Sequence, residues 1–137
     1  YQAARAQFVE QVVRPRLALG EIVLSDRYAD STLAYQGYGH QQDLAQVRAL
    51  IGYATGGLVP DLTVLLDVDV EVGLGRKKKG DEWNRLDAYT VEFHRRVRAG
   101  YLEMVKQEPG RWVVVDAGQA WNGVQQDLRA VILKKMA

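Results

Sequence analysis

The sequence predicts an α/β fold in which a parallel sheet carries helices on both faces. Three short apolar runs, at residues 21–25, 62–68 and 112–116, are typical of strands buried on both sides. Each run carries an aspartate at or just after its carboxyl end (Asp26, Asp67 and Asp116). Between the runs, apolar residues recur every three or four positions, as in amphipathic helices. Strands that alternate with helices in this way are typical of doubly wound α/β layers.

The composition is that of a folded protein without a charge bias. The 137 residues are 47% hydrophobic and 26% charged, and the formal net charge is +1. These values exclude disorder as the main state and give no global case for nucleic-acid binding. Cysteine is absent, which removes disulfides and thiolate metal sites and is typical of a reducing compartment. No apolar run has the length of a membrane span. From these three observations we expect a cytoplasmic protein with neither a membrane nor a nucleic-acid partner.

The first element is a helix over residues 1–19. Its apolar face consists of four residues, Tyr1, Ala4, Phe8 and Val12. Gly20 is placed to end this helix, and Pro15 is expected to bend its last turns. Arg5 lies one turn after Tyr1 on the same side, where a phenol and a guanidinium can bind a ligand together. A core tyrosine and a surface arginine explain this pair more simply.

The first strand leads into Asp26, Arg27 and Tyr28. Ligands of open α/β sheets bind at the carboxyl ends of the strands. Arg27 supplies a planar, permanently charged fork that suits phosphate. The stretch therefore predicts a site for an anionic ligand. A pairing of Asp26 with Arg27, or a cap on the next helix, explains it equally well.

The next elements are two helices and the second strand. Ser31 and Thr32 suit the start of a helix, and two glycines at residues 37–41 indicate a loop. A helix from Asp43 to Ala54 follows, and then the strand at residues 62–68. A fourth helix, from about Val70, becomes strongly basic at residues 76–79.

Residues 76–85 contain five basic and two acidic side chains, a local excess of three positive charges. Cations spread along a chain and converging on one cleft suit phosphoryl transfer, where the protein positions phosphates and neutralises charge. A glycine-bounded basic segment can close over phosphates as a lid. The lysine run by itself is better explained as a solvated helix end.

The last elements are a long helix, the third strand and a final helix. Asp87 is placed to cap the long helix, which runs to about Gln107 and is ended by the proline and glycine at 109–110. Its predicted buried face consists of Phe93, Val97, Tyr101 and Met104. The final helix begins near Ala120. Its apolar stripe consists of Trp121, Val124, Leu128 and Val131.

Over its whole length the chain resembles the thymidylate kinases, which phosphorylate dTMP with ATP. The resemblance rests on stretches in a fixed order, which are Tyr1-Gln2-Ala3-Ala4-Arg5-Ala6-Gln7, Ser25-Asp26-Arg27-Tyr28, Ser31-Thr32-Leu33-Ala34-Tyr35-Gln36-Gly37, Pro60-Asp61-Leu62-Thr63-Val64-Leu65-Leu66-Asp67-Val68, Asn84-Arg85-Leu86-Asp87 and Val115-Asp116-Ala117. It implies a three-layer P-loop-kinase-like sheet that lacks its N-terminal P-loop strand. Residues 1–137 are then one domain, the C-terminal two-thirds of such a kinase, with a lid at about 76–87.

The resemblance also implies a dTMP pocket. Tyr1 takes the position of the aromatic residue that stacks on thymine, and Arg5 that of the arginine that contacts base and monophosphate. Thr32 falls where a polar side chain meets the base edge. Tyr35 and Gln36 flank the deoxyribose and base, and Tyr35 selects against a 2′-hydroxyl.

For the phosphates and ATP, the resemblance implies a catalytic set of Asp26, Arg27, Arg76 and Arg85. Arg27 holds the dTMP phosphate, and Asp26 lies near the transferred phosphate and its Mg²⁺, which it contacts through water. Arg76 and Arg85 belong to the lid that reaches the ATP phosphates. The loop Asp116-Ala117-Gly118-Gln119 lies beside adenine. ATP with Mg²⁺ is the implied co-substrate, and a homodimer the implied assembly.

The sequence departs from the family pattern at three places. No Gly-x-x-x-x-Gly-Lys-[Ser/Thr] loop is present, and in the family that loop precedes the position of Tyr1. We therefore expect a preceding segment, and expect the 137 residues alone to bind ATP weakly or not at all. His40 stands where an arginine is common, which affects any contact made there. Asn84-Arg85-Leu86-Asp87 replaces the commoner Asp-Arg-Ile-Glu, and Asp87 reaches less far than glutamate.

Two other functions remain open from the sequence. One is a catalytically silent nucleotide-binding or scaffold module that keeps the monophosphate pocket. The other is a kinase for a deoxynucleoside or for another nucleoside monophosphate. Tyr1, Thr32 and the pair Tyr35 and Gln36 favour thymine as the base.

Overall fold

The computed structural model describes residues 1–79 and 89–137, and these form two compact units, Tyr1–Val59 and Pro60–Ala137. That residues 1–137 form one domain stays a prediction. The first unit contains α1 (Gln2–Phe8), α2 (Arg14–Ala18), α3 (Ala29–Thr32) and α4 (Leu44–Thr55), with π-helical segments at Val9–Val13 and Leu33–Gly39. The second contains β1 (Thr63–Asp67), α5 (Val70–Lys79), α6 (Val91–Gln107), β2 (Trp112–Asp116) and α7 (Trp121–Met136).

The first helix is continuous from α1 through the π-helical segment to α2. The π-helical segment ends two residues before Pro15, and the Arg14 N–H donates to the Val9 carbonyl across it. Gly20 ends the helix as predicted, with φ +75° and its N–H donated to the Leu17 carbonyl. The predicted apolar face is wrong by one position. Val9 and Val13 are buried, whereas Tyr1 and Val12 are exposed, because α1 packs on α4 through the neighbouring face.

The predicted strand at residues 21–25 does not form. The structure assigns no strand to this segment, and the side chains of Ile22 and Leu24 are 67% and 81% exposed. The described sheet has two strands, β1 and β2, and does not include these residues. A strand gains its backbone hydrogen bonds only from a neighbouring strand, so an apolar run without one stays irregular.

Residues 29–39 form a longer helical element than predicted. The helix begins at Ala29, before Ser31, and the predicted loop at residues 37–39 is instead the end of the π-helical segment. The segment packs on α4, where a Cβ atom at Gly37 would lie 2.7 Å from the Leu44 Cδ2. The helix predicted over residues 43–54 is confirmed, with the Asp43 carboxylate accepting the N–H of Gln46 as its N-cap.

The second unit is built on two parallel strands. β1 and β2 pair in the register that runs from Thr63 opposite Trp112 to Asp67 opposite Asp116. Both strands were predicted, and so was the position of their aspartates at one edge. Helices α6 and α7 pack on β2, where Trp112 and Val115 are buried.

The long helix begins later than predicted. Asp87 and residues 80–88 lie outside the described part of the chain, and the N-cap of α6 is Thr90, whose hydroxyl accepts the N–H of Phe93. Phe93, Val97 and Met104 are buried on this helix, as predicted. In α7 the predicted stripe holds at Val124 but fails at Trp121, which is 74% exposed in the first helical turn.

Among the described helices, none combines the length and the apolar character that crossing a membrane requires.

Candidate functional site

Arg5 lies at the centre of a polar cluster in the first unit. Its guanidinium donates to the Thr32 hydroxyl (Nη1–Oγ1, 2.7 Å), to the Gln2 side-chain oxygen (3.1 Å) and to the Tyr28 carbonyl (Nη2–O, 3.2 Å). Its Cζ atom also lies 5.8 Å from the centroid of the Tyr28 ring. The structure therefore brings Arg5 and Thr32 together, as the predicted dTMP pocket requires, and adds Tyr28 to them.

Partial burial changes the electrostatics of this cluster. Burial lowers the pKa of the Arg5 guanidinium, and its interactions with Tyr28 and Asp30 oppose that shift. Burial raises the pKa of the Tyr28 hydroxyl, and nearby Arg5 and Arg14 oppose that shift. The Tyr28 hydroxyl donates to the Leu58 carbonyl at 3.3 Å, so both ends of this tyrosine are bonded within the unit. The Arg5 guanidinium is therefore partly buried and is held by hydrogen bonds to three different residues.

Arg27 is held in a different way. Its φ is +65°, in the left-handed region, and the Ser25 hydroxyl donates to its carbonyl at 2.9 Å. Its Cζ atom lies 4.6 Å from the centroid of the Tyr35 ring, which is the distance of a cation–π contact. The structure thus joins two predicted site residues, Arg27 and Tyr35.

The remaining predicted residues of the first unit are less closely joined. The Tyr1 side chain is fully exposed, and its ring stacks on no other side chain of the described residues. Asp26 is exposed beside Arg27, and the two are not among the ion pairs of the described residues. Gln36 is half-buried, and its carbonyl accepts the N–H of Gln42 at 3.3 Å. His40, at the end of the same helical segment, is exposed.

In the second unit, a bidentate ion pair lies at the carboxyl end of β1. Arg98 of α6 donates to both oxygens of Asp67, at 2.8 and 2.9 Å, and lies 3.6 Å from Asp69. The hydrogen bond to Asp67 raises the pKa of Arg98. Arg98 therefore ties α6 to the carboxyl end of β1.

Arg76 binds the loop that follows β2. Its Nη1 and Nη2 donate to the carbonyls of Ala117 and Gly118, at 2.6 and 2.8 Å. The loop is closed from inside as well, because the Asp116 carboxylate accepts the N–H of Gly118 at 2.7 Å and the Asp67 carbonyl accepts the N–H of Ala117. Two residue sets predicted to serve ATP, Arg76 and the loop of residues 116–119, are therefore in direct contact.

The other end of this loop is held by α7. The Gln119 side-chain amide donates to the Asp127 carboxylate at 2.6 Å. Arg85, predicted to reach the ATP phosphates, lies outside the described residues.

The donor set was tested for the Mg²⁺ that the resemblance implies. Within the described ranges, no group of three or more histidine, aspartate or glutamate side chains is arranged to hold a metal ion. Mg²⁺ beside substrate phosphates needs only one or two carboxylates, because waters and phosphate oxygens complete its shell. The exposed Asp26 carboxylate fits that requirement.

Sequence reasoning missed the anchoring roles of Tyr28 and Arg98. Tyr28 directly follows Arg27, and its position beside the predicted site was the available signal. Arg98 had no such signal, because it lies 31 residues from Asp67 in the chain and only the tertiary fold brings them together.

Comparison with known proteins gives a consistent result. The thymidylate kinase family model matches residues 1–128. A thymidylate kinase of Roseiflexus sp. (strain RS-1) is 48% identical over 144 residues, covering 96% of this chain and 64% of that protein. One of Trichodesmium erythraeum is 46% identical, covering 99% of this chain and 60% of the relative. One of Deinococcus radiodurans is 44% identical, with 98% and 66% covered.

The chain spans less than two thirds of the length of these curated relatives. The matched region nevertheless includes nearly all of its residues, and the relatives share almost half of the aligned positions. The chain belongs to the thymidylate kinase family, whose P-loop kinase fold is of the α/β class predicted from the sequence.

Proposed function

We propose that the chain forms the nucleoside-monophosphate side of an enzyme that phosphorylates dTMP to dTDP with Mg-ATP, for dTTP synthesis. The observation that carries the proposal is the arrangement of Arg27, whose charged fork is held on the face of Tyr35 and directed by a left-handed backbone. A cation placed in this way suits an anionic phosphate. Family membership makes thymidine the expected nucleoside.

The reaction is an in-line transfer. A phosphate oxygen of dTMP attacks the γ-phosphorus of ATP, the bond to the β-phosphate oxygen breaks, and ADP leaves as dTDP forms. The nucleophile is already anionic, so the chain supplies position and charge and needs no general base. Arg27 binds the phosphate of dTMP through two parallel N–H bonds, which fix its geometry. Asp26 would hold Mg²⁺ through water, and the ion would supply positive charge that neutralises the phosphates.

Arg5 and Thr32 form the base side of the pocket. Since Thr32 accepts a hydrogen bond from Arg5, its own hydroxyl hydrogen is available to an acceptor on the substrate. The partly buried guanidinium of Arg5 is held in place because three protein oxygens accept its hydrogen bonds. Tyr1 supplies the ring on which thymine stacks, a contact worth about 1 kcal/mol or more for stacked bases.

Arg76 and the loop at 116–119 form the ATP side, together with Arg85 of the lid. The adenine contact falls to the loop, whose backbone is held by Arg76. We also propose that the enzyme works as a homodimer in the cytoplasm, as the family assignment favours.

The proposal is tested by turnover of the complete encoded protein with dTMP and Mg-ATP, with ADP release as the readout. Arg27→Ala is expected to lower kcat/KM for dTMP at least about 100-fold, because two charge-assisted hydrogen bonds are lost. Arg129→Ala, which removes an exposed arginine of α7, is the matched control and should leave kcat/KM near the wild-type value.

Three results would contradict the proposal. Undiminished activity of the Arg27→Ala variant would refute the phosphate role of that residue. Faster turnover of another nucleoside monophosphate would replace dTMP as the substrate. Binding of dTMP without any turnover would favour a silent nucleotide-binding module instead.

A further inference from the structure

The backbone of Arg27 adopts a conformation that L-residues seldom take. Arg27 and Gln41 are the two non-glycine residues with positive φ in the described ranges, at 65° and 57°. Such conformations persist where the surroundings hold them, and they concentrate at ligand-binding sites. Here the hydrogen bond from the Ser25 hydroxyl to the Arg27 carbonyl, 2.9 Å long, closes the turn. The conformation sets the direction in which the Arg27 side chain leaves the chain.

The Tyr35 ring that meets this side chain stands on a fixed support. Its helical segment is anchored by Leu33 and Ala34, which are 4% and 0% exposed. Gly37, one turn later, lies so close to Leu44 that a Cβ atom would meet that side chain at 2.7 Å. The segment that carries Tyr35 is therefore packed closely against α4 at Gly37.

The contact with Tyr35 leaves the donors of Arg27 open. The Cζ atom lies 4.6 Å from the ring centroid, and the five N–H groups of a guanidinium point outwards in its own plane. In the described part of the chain, the Arg27 guanidinium donates no hydrogen bond. The neighbouring Arg5 differs, since three protein oxygens occupy its edge. Of the two arginines, Arg27 is the one prepared for a planar, bidentate anion.

We infer that Tyr35 is a positioning residue for phosphate binding: its ring holds the Arg27 fork edge-on to the phosphate of the incoming nucleotide. This inference rests on the proposed function, and it adds a task to a side chain whose family role concerns the sugar. Tyr35 thereby acts through Arg27 and needs no contact of its own with the phosphate. The π-helical segment Leu33–Gly39 is the element that links the sugar side of the pocket to the phosphate side.

The test compares dTMP with thymidine, which lacks the phosphate. Binding of each to the complete protein is measured by calorimetry for wild type, Tyr35→Leu and Tyr35→Phe. Tyr35→Leu should weaken dTMP about three- to tenfold relative to thymidine, the size of a partly exposed cation–π contact. Tyr35→Phe keeps the ring, so the dTMP-to-thymidine affinity ratio should return to within about twofold of wild type. Where Tyr35→Leu does not fold, Tyr35→Met, which also lacks a ring, carries the same expectation.

A double-mutant cycle with Arg27→Ala gives the second readout. If Tyr35 acts through Arg27, then Tyr35→Leu has no further effect on the affinity ratio in the Arg27→Ala background. Equal losses in both backgrounds, or equal weakening of dTMP and thymidine, would overturn the inference and leave Tyr35 a sugar contact alone. Tyr53→Leu, at a tyrosine of α4 that is 91% exposed, is the matched control and should leave the ratio unchanged.

The two proposals fail in different ways. If the wild-type protein neither binds nor turns over dTMP, the proposed function fails. If it does both, but the cycle shows independent effects, only the positioning role of Tyr35 fails.

Discussion

Three apolar runs of this chain end near an aspartate, and the two units treat them differently. In the second unit, the runs at β1 and β2 pair in parallel, and their aspartates are bonded to Arg98 and to the Gly118 N–H. In the first unit, residues 21–25 form no strand, and Asp26 is exposed. The difference shows that apolar composition marks a candidate strand, whereas a hydrogen-bonded neighbour makes it one.

The two units also differ in how the backbone after each apolar run is held. After β2, the backbone ladder continues into the loop, because the Asp67 carbonyl accepts the N–H of Ala117 at 2.7 Å. After residues 21–25, side chains hold the backbone instead. The Ser25 hydroxyl donates a hydrogen bond to the Arg27 carbonyl, and the Arg5 guanidinium donates one to the Tyr28 carbonyl.

The largest effect is expected from shortening apolar side chains in the two kinds of run. Val115→Ala removes a side chain that is 3% exposed and should lower the free energy of unfolding by about 2 kcal/mol. Leu24→Ala, at a side chain 81% exposed, should change it by less than about 0.5 kcal/mol. Urea denaturation followed by circular dichroism measures both. Equal losses would mean that residues 21–25 are buried in solution, which would break the comparison.

The aspartates give the next effect. Asp67→Ala leaves Arg98 without its bidentate partner and should lower the free energy of unfolding by about 1 to 2 kcal/mol, the pair being partly exposed to solvent. Asp26→Ala is the matched variant and should cost less than about 0.5 kcal/mol, because its carboxylate is exposed. The same denaturation experiment applies, and a larger loss at Asp26 would reverse the assignment.

A smaller, local effect is expected at the loop after β2. Arg76→Ala removes two hydrogen bonds to the Ala117 and Gly118 carbonyls, so the Ala117 amide should exchange with solvent about fivefold faster. Hydrogen exchange followed by NMR measures the rate for that amide. Arg129→Ala serves as the control, and an unchanged Ala117 rate in the Arg76 variant would show that the ladder bond alone holds the loop.

The smallest effect concerns pH and the side-chain anchoring of the first unit. Burial raises the pKa of Tyr28 in the folded state, so the folded protein keeps this proton at a pH where the unfolded chain loses it. The contribution of Tyr28 is therefore complete below the usual tyrosine pKa and is lost as pH rises through the folded-state pKa. Tyr28→Phe should show a shallower alkaline fall in unfolding free energy. Identical alkaline slopes in the two proteins would contradict the burial of this hydroxyl.

Much of the second unit was predictable because its signals are local. The strand at 112–116, the start of α5 and the end of α6 agree with their apolar periods and with the proline and glycine at 109–110. The start of α6 was not predictable, because threonine and aspartate are both good N-cap residues and the structure uses Thr90, not Asp87.

The candidate site was predictable in its residue types but not in its contacts. Arg5, Arg27, Thr32 and Tyr35 were chosen by pattern and resemblance, and the structure joins them in pairs, Arg5 with Thr32 and Arg27 with Tyr35. Which arginine would have its donors occupied could not be predicted, because that depends on oxygens from residues 23 to 27 positions away.

The sequence by itself determined the α/β class, the family and the positions of its charged residues, since these follow from local periods and from motifs in order. Only the tertiary structure decided that residues 21–25 stay irregular, that Arg98 clamps Asp67 and that Arg27 lies on Tyr35. Each of those outcomes depends on how separate segments of the chain pack together. Hydrogen bonds, ion pairs and ring contacts form between groups that folding brings together, and no local pattern specifies them.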